Sequence, residues 1–126
     1  MPTVMIRTNV SLSERQHDDL FSSITDVMIE AAHKKHEKVM VLLEKVEARM
    51  GMKDDPLVFA EVRSMVGLDH KMNHDLSVRF TEVFERVLGT SSDRMYMNFV
   101  RIPETAWGWK GGISIWNAVS EEWIVR

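Results

Sequence analysis

The sequence repeats one pattern of apolar residues after a shift of 56 positions, as from Leu20 to Leu76, and this repeat most constrains the fold. Each copy has the spacing of one apolar helical face: Leu20, Ile24, Val27, Met28 and Ala31, and then Leu76, Phe80, Val83, Phe84 and Val87. Short segments rich in β-branched residues flank both stripes, which is typical of strands. The sequence therefore predicts two consecutive strand–helix–strand units.

Right-handed crossovers in both units would place both helices on one face of a four-stranded sheet. The predicted fold class is therefore α+β, with duplicated β-α-β units. The expected strands are residues 2–10, 39–43, 56–60 and 95–102. The run 39–43 is short and continuously apolar, as expected of a strand that is covered on both faces.

Start and stop signals mark the helices. Either Ser11 with Glu14 or Ser13 with Gln16 is expected to form a capping box at the start of the first helix. Gly89 is expected to end the second helix, because glycine adopts the left-handed conformation of a helix terminus without steric cost.

Composition excludes several classes of function. The 126 residues fit a single domain, 1–126. Without cysteine the chain has no disulfide, thiolate nucleophile or Cys-ligated metal site. The net charge of −3 argues against partners such as nucleic acid or an anionic membrane surface. The basic cluster Lys34, Lys35 and Lys38 is expected to be balanced by Glu30 and Glu37.

No apolar run approaches the length of a transmembrane helix, and Arg7 and Asn9 interrupt the N-terminal apolar stretch before it forms a signal peptide. A cytoplasmic location is the resulting expectation. All four tryptophans lie near the C-terminus, at Trp107, Trp109, Trp116 and Trp123. A two-helix layer has one open sheet face and cannot readily bury so much aromatic surface, so an oligomer is expected.

Pro2 is the chemically unusual position. Removal of Met1 would leave a secondary amine at the chain terminus, and α-amino groups titrate near ~7.7–8.0. Burial and a nearby cation both lower such a pKa, and a neutral amine at pH 7 is a competent general base. The alternative is that Pro2 simply begins an edge strand.

No metal site is expected. His70 and His74 lie four residues apart near the start of the second helix, a spacing that places two ligands on one helical face. No third ligand is evident, so solvated helix histidines are the preferred interpretation.

Several segments together resemble the tautomerase superfamily, and in particular its macrophage migration inhibitory factor branch. They are 2–10 (PTVMIRTNV), the lysine after the first helix, 63–68 (RSMVGL), 92–99 (SDRMYMNF) and 107–109 (WGW). The resemblance covers roughly residues 2–112. It implies a homotrimer with active sites between subunits, no cofactor, and keto–enol tautomerisation of phenylpyruvate-like 2-keto acids. By the same resemblance, secretion without a signal peptide is possible.

The resemblance also implies roles for individual residues. Pro2 falls on the catalytic base, and Lys34 on the lysine that holds the substrate carboxylate and lowers the pKa of the proline. Ser64 and Met65 fall on a substrate-contacting serine and the backbone amide after it. The remaining matches line the pocket: Tyr96 and Asn98 from an adjacent subunit, and Trp107 and Trp109 as the apolar wall. Taken alone, the two tryptophans are better explained by core or interface packing than by a substrate wall.

The sequence departs from the family pattern at several places. Residues 57–60 replace the Cys-x-x-Cys segment of mammalian members, which excludes thiol–disulfide exchange. Val66 stands where a glycine is common and Trp107 where an aliphatic residue is usual, so both are expected to reshape the substrate slot. Residues 114–126 form a C-terminal extension beyond the usual family length.

Two alternatives to tautomerisation remain open at this point. One is a non-catalytic, trimeric signalling protein with the same fold. The other is a related reaction such as decarboxylation or dehalogenation, for which only Arg7 or Arg63 could supply the additional charged group near the proline. If Met1 is retained, Pro2 is an amide nitrogen and cannot act as a base.

Overall fold

The structure, a computed structural model, describes residues 2–65 and 67–113. Val66 and the extension with Trp116 and Trp123 therefore lie outside the described residues. The main elements are β1 (Thr3–Thr8), α1 (Glu14–Ala32), β2 (Met40–Lys45), β3 (Val58–Ser64), α2 (His70–Leu88), β4 (Met95–Arg101), β5 (Gly108–Trp109) and β6 (Gly112–Ile113). Within these residues no helix is long and apolar enough to cross a membrane.

Strands β1 to β4 form one sheet in the order β2-β1-β3-β4. β1 is parallel to β2, β3 is parallel to β4, and the two pairs meet through the antiparallel contact between β1 and β3. The predicted four-stranded sheet with two helices on one face is confirmed. The short β5–β6 hairpin forms a separate two-stranded sheet after β4.

The 56-residue repeat holds in three dimensions. Helices α1 and α2 both have 19 residues, and both bounds of α2 lie 56 positions after those of α1. The register repeats as well, since Thr3 pairs with Met40 in the first unit and Phe59 with Tyr96 in the second. Each unit therefore builds the same local geometry.

The start of α1 is capped by Ser13 and Gln16, the second of the two predicted boxes. The Gln16 amide donates to the Ser13 hydroxyl at 3.2 Å, and the Ser13 amide donates to the Gln16 side-chain oxygen at 2.8 Å. α2 ends at Gly89 with φ +65°, as predicted, and α1 ends at His33 with φ +56°. The unpredicted cap of α2 is Asp69, which accepts the Met72 amide at 2.9 Å.

One face of the sheet packs against both helices. The alternate residues that point to this face are buried, as Val4 and Ile6 are in β1 and Val62 is in β3. The other face is open: Met40 is 57% exposed and Leu42 is 46% exposed. The expectation that the strand at 39–43 is covered on both faces is therefore wrong for a single chain, because one helical layer covers one face only.

The third strand begins at Val58 rather than at the predicted residue 56. Pro56 has no amide hydrogen, and the Leu57 amide donates to the Asn9 side chain at 2.9 Å instead of to a neighbouring strand. The Arg94 guanidinium holds the preceding loop by donating to the carbonyls of Met50, Lys53, Asp55 and Pro56 at 2.9–3.1 Å.

Candidate functional site

Pro2 lies buried at one end of the sheet. Its carbonyl accepts the Met40 amide at 3.0 Å, which joins the start of β1 to the start of β2. Thr3 pairs with Arg63 in the antiparallel contact, so Pro2 lies opposite Ser64, one position further along. Both residues occupy positions on the helix-covered face, because strand residues two apart share a face.

Ser64 ends β3 and is completely buried. Its hydroxyl has no hydrogen-bond partner among the described residues, while its carbonyl accepts the Ile102 amide at 2.8 Å. An unsatisfied buried hydroxyl costs about 1–3 kcal/mol, so an orphan hydroxyl beside Pro2 is a candidate contact for a polar ligand. Met65 follows directly, is half-buried, and accepts the Arg101 side chain at its carbonyl.

Lys34 lies just beyond the C-terminus of α1, where its amide donates to the Met28 carbonyl at 3.1 Å. From there a 3₁₀ turn, His36–Lys38, leads into β2 and to the Met40 amide that binds Pro2. Lys34 and Pro2 therefore belong to the same end of the sheet. Burial lowers the pKa of Lys34 from its usual 10.5, because desolvation disfavours the ammonium form.

The chain after β4 crosses this end of the sheet. It starts against β3, where the Ile102 amide donates to the Ser64 carbonyl. It then reaches Lys38, just before β2: the Nζ atom of Lys38 lies 4.2 Å from the centroid of the Trp109 ring. Since β1 lies between β3 and β2, the crossing passes the start of β1. Trp107 is part of this crossing and donates from Nε1 to the Ile102 carbonyl at 3.1 Å.

The structure does not bring Tyr96 and Asn98 to Pro2 of the same chain. Both occupy the open face of β4, and Tyr96 is 65% exposed. The strand pairing across β3 aligns Tyr96 with Arg7, which is five positions from Pro2 along β1. It aligns Asn98 with Met5, which is three positions from Pro2. These offsets correspond to roughly 16 and 10 Å along the strand. The two side chains also lie on the open face of the sheet, whereas Pro2 lies on the helix-covered face. A single chain therefore assembles only part of the predicted set.

Two lysines at the Trp109 ring were not predicted as site residues. Lys38 and Lys110 approach the ring centroid to 4.2 and 4.6 Å. The sequence signal was the basic cluster, and of its two predicted acidic neighbours Glu30 forms an ion pair with Arg79 of α2. Only the tertiary crossing of residues 102–113 brings Lys38 to an aromatic ring.

No metal centre is apparent in residues 2–65 and 67–113, where no three histidine, aspartate or glutamate side chains converge. His70 and His74 are both exposed on the first turns of α2. At this end of the sheet the structure places a buried proline, an orphan hydroxyl, a desolvated lysine and the crossing segment with its tryptophans.

A family model described as macrophage migration inhibitory factor (MIF) matches residues 1–114. The structure of macrophage migration inhibitory factor from Toxoplasma gondii is 26% identical, with a TM-score of 0.81 over 86% of this chain and 96% of that chain. A homologue from Prochlorococcus marinus is 25% identical, with a TM-score of 0.83 over 89% and 98%.

The fold alone is shared with a fused 4-OT described as an asymmetric trimer, which is 20% identical with a TM-score of 0.82 over 92% of this chain and 98% of that one. No curated protein matches the chain.

Proposed function

The chain belongs to the macrophage migration inhibitory factor family, and from this premise we propose that it is a cofactor-free keto–enol tautomerase of 2-keto acids. The observation that carries the proposal is the burial of Pro2 opposite Ser64, at the end of the sheet that also holds Lys34. A buried amine at the same end of the sheet as a cation suits proton transfer that needs neither metal nor thiol.

Pro2 is the base once Met1 has been removed. Desolvation and the positive charge of Lys34 both disfavour a protonated prolinium, so the amine is neutral near pH 7. It takes a proton from the carbon next to the ketone, and the prolinium formed in this way delivers that proton to the carbonyl oxygen to give the enol; the reverse transfer regenerates the ketone and the neutral amine. Lys34 binds the carboxylate of the substrate, and the Ser64 hydroxyl with the Met65 backbone completes the polar wall.

The complete site is formed between copies of the chain. Tyr96 and Asn98 are too far from Pro2 of their own chain, yet both face outward from the sheet. The exposed apolar side chains Met40 and Leu42 share this face. A homotrimer of the kind named for the fused 4-OT would cover the open faces and bring Tyr96 and Asn98 to a neighbour's Pro2. Trp107 and Trp109 supply the apolar wall.

The test compares two changes at the chain terminus. Intact mass first establishes that the purified protein lacks Met1. We expect Pro2→Gly, and separately the insertion of one alanine before Pro2, to lower kcat/KM by about 100-fold or more, because both remove the secondary amine. The readout is deuterium incorporation next to the carbonyl of phenylpyruvate in D2O, followed by NMR.

Two outcomes contradict the proposal. Processed protein that exchanges no aryl or alkyl 2-keto acid would rule out the enzyme and favour a non-catalytic member of the family. Activity that survives the alanine insertion would rule out Pro2 as the base, since the insertion retains the proline ring but converts its amine to an amide.

A further inference from the structure

Arg101, the last residue of β4, holds a segment that the proposed site uses. The parallel pairing of β3 with β4 places Arg101 beside Ser64, which in turn lies opposite Pro2. The Nε atom of Arg101 donates to the Met65 carbonyl at 3.3 Å, and the amide of Ile102 donates to the Ser64 carbonyl at 2.8 Å. Two successive carbonyls of this segment are therefore bound from the side of β4.

The hydrogen bond at the Ser64 carbonyl sets the direction of the Met65 amide. The peptide bonds of the described residues are all trans, and in a planar trans peptide the N–H points away from the C=O. The Ser64 carbonyl faces β4, whereas β1 lies on the other side of β3. The Met65 amide therefore points towards the strand that begins with Pro2.

In the processed chain, β1 has no residue opposite Met65. Thr3 pairs with Arg63 and Pro2 lies opposite Ser64, so the position opposite Met65 is the one that removal of Met1 vacates. Processing thus leaves the Met65 amide without a strand partner on β1, beside the amine of Pro2. A backbone amide is an obligatory donor, and a carboxylate is a strong acceptor for it.

The two arginines that the sequence offers near the proline are used elsewhere. Arg7 and Arg63 occupy the open face of the sheet, where they pair with Glu44 at 2.9 Å and with Glu61 at 3.4 Å. Arg101 occupies the helix-covered face of β4, because strand residues alternate between the faces. None of the four salt bridges in the described part of the chain includes Arg101, so its guanidinium serves the backbone instead.

We propose that Arg101 is a positioning residue: by holding the Met65 carbonyl, it keeps the Met65 amide directed at a substrate carboxylate beside Pro2. This assignment rests on the proposed function of the Pro2 site. The first unit contains a contact of the same kind, since Lys45, the counterpart of Arg101 in the repeat, donates to the Ser11 hydroxyl at 2.5 Å. That contact holds the loop after β1, at the end of the sheet away from Pro2.

The test compares two variants that each remove one of these tethers. Arg101→Met is expected to raise KM for phenylpyruvate by about fivefold and to leave kcat within about twofold, because the amide contact binds ground state and transition state alike. Lys45→Met is the matched control and is expected to change KM by less than about twofold. Thermal unfolding of both variants reports what each tether contributes to stability.

A conservative variant and a binding measurement complete the test. Arg101→Lys is expected to keep KM close to that of the wild type, since a lysine makes the equivalent contact in the first unit. 3-Phenylpropanoate has a carboxylate but no ketone, so it binds without turnover. In NMR spectra of isotope-labelled protein that lacks Met1, it is expected to shift the Met65 amide proton downfield. Arg101→Met is expected to reduce this shift at equal ligand saturation, and Lys45→Met to retain it.

The outcomes separate the role of Arg101 from the proposed function. Pro2-dependent exchange with an unchanged KM in Arg101→Met overturns the positioning role while the tautomerase remains. A Met65 shift that depends on Arg101, without exchange of any 2-keto acid, supports the positioning role and overturns the tautomerase. A rise of KM in Lys45→Met equal to that in Arg101→Met assigns the effect to lost stability and overturns the positioning role. An equal rise in Arg101→Lys and Arg101→Met also overturns it, because the donated hydrogen bond is then not the cause.

Discussion

At the residue scale, the proposed function of Lys34 needs its positive charge, whereas its location disfavours that charge. Burial lowers the pKa of Lys34 below its usual 10.5. A carboxylate binds the ammonium form, so KM is expected to rise as the pH increases through this lowered pKa, earlier than for an exposed lysine.

Lys34→Arg tests this dependence. Arginine stays charged throughout the accessible range, so the variant is expected to lose the alkaline rise of KM, whatever constant factor its different shape adds. The measurement is KM for phenylpyruvate exchange across neutral and alkaline pH. An alkaline rise that persists unchanged in the variant would assign the titration to a different group.

The sequence predicts single residues best where their chemistry is local. Pro2 is singled out by its place next to the chain terminus, and the structure buries it; its role as the base stays a prediction. The lysine pair at Trp109 could not be found this way, because Lys38 and Trp109 are distant in sequence and meet only when the chain crosses the end of the sheet. The ion pair of Glu30 with Arg79 could not be predicted for the same reason, since Arg79 lies on the other helix.

At the element scale, the start of α1 depends on one of two adjacent serines. The Ser13 side chain caps the helix, whereas the Ser11 hydroxyl accepts the Lys45 ammonium instead. We expect Ser13→Ala to lower the free energy of unfolding by about 1 kcal/mol and Ser11→Ala to change it by less than about half as much. Urea denaturation of both variants measures this difference. An equal loss of unfolding free energy in the two variants would contradict Ser13 as the residue that caps α1.

Element bounds follow from the sequence where a side chain or a backbone conformation sets them, as Gly89 does for α2. The sequence mispredicts a bound where a group distant in sequence takes a backbone hydrogen bond that the strand would otherwise form. Asn9 takes the Leu57 amide, and β3 starts late as a result. Arg94 gathers four carbonyls of a loop far from it in sequence, a contact that no local pattern encodes.

At the scale of the whole molecule, the open face of the sheet predicts self-association. Leu42 is 46% exposed on that face, and Val78 is 45% exposed on α2, so the two sites offer a matched comparison. Leu42→Lys is expected to convert the proposed trimer to monomers, because it places a charge where a neighbouring sheet would pack. Val78→Lys is expected to leave the trimer intact.

Light scattering coupled to size exclusion reports the mass of each variant, and the exchange assay reports the site. Leu42→Lys is expected to lose activity together with the trimer, since Tyr96 and Asn98 would no longer reach a neighbour's Pro2. A trimeric Leu42→Lys protein would contradict this face as the interface, and a fully active monomer would contradict the shared site.

The apolar run at 39–43 shows what such a pattern encodes. It predicts a strand covered on both faces, and the single chain covers only one. An apolar sequence pattern indicates that a strand is buried, but it does not indicate whether the same chain or a neighbouring copy covers it. The trimer would supply the second cover, which is why the fold of one chain could be predicted from its own periodicity but the completeness of its site could not.

The repeated geometry of the two units has an evolutionary consequence, because copying a gene segment cannot copy a chain terminus. The counterpart of Pro2 in the second unit is Val58, which is locked in an internal peptide bond. In the second unit Arg94 takes the position of Lys38 and holds a loop, and Tyr96 and Asn98 take the positions of the apolar residues Met40 and Leu42. In the proposed mechanism the first unit therefore carries the base, and the second unit offers its polar side chains to another copy of the chain.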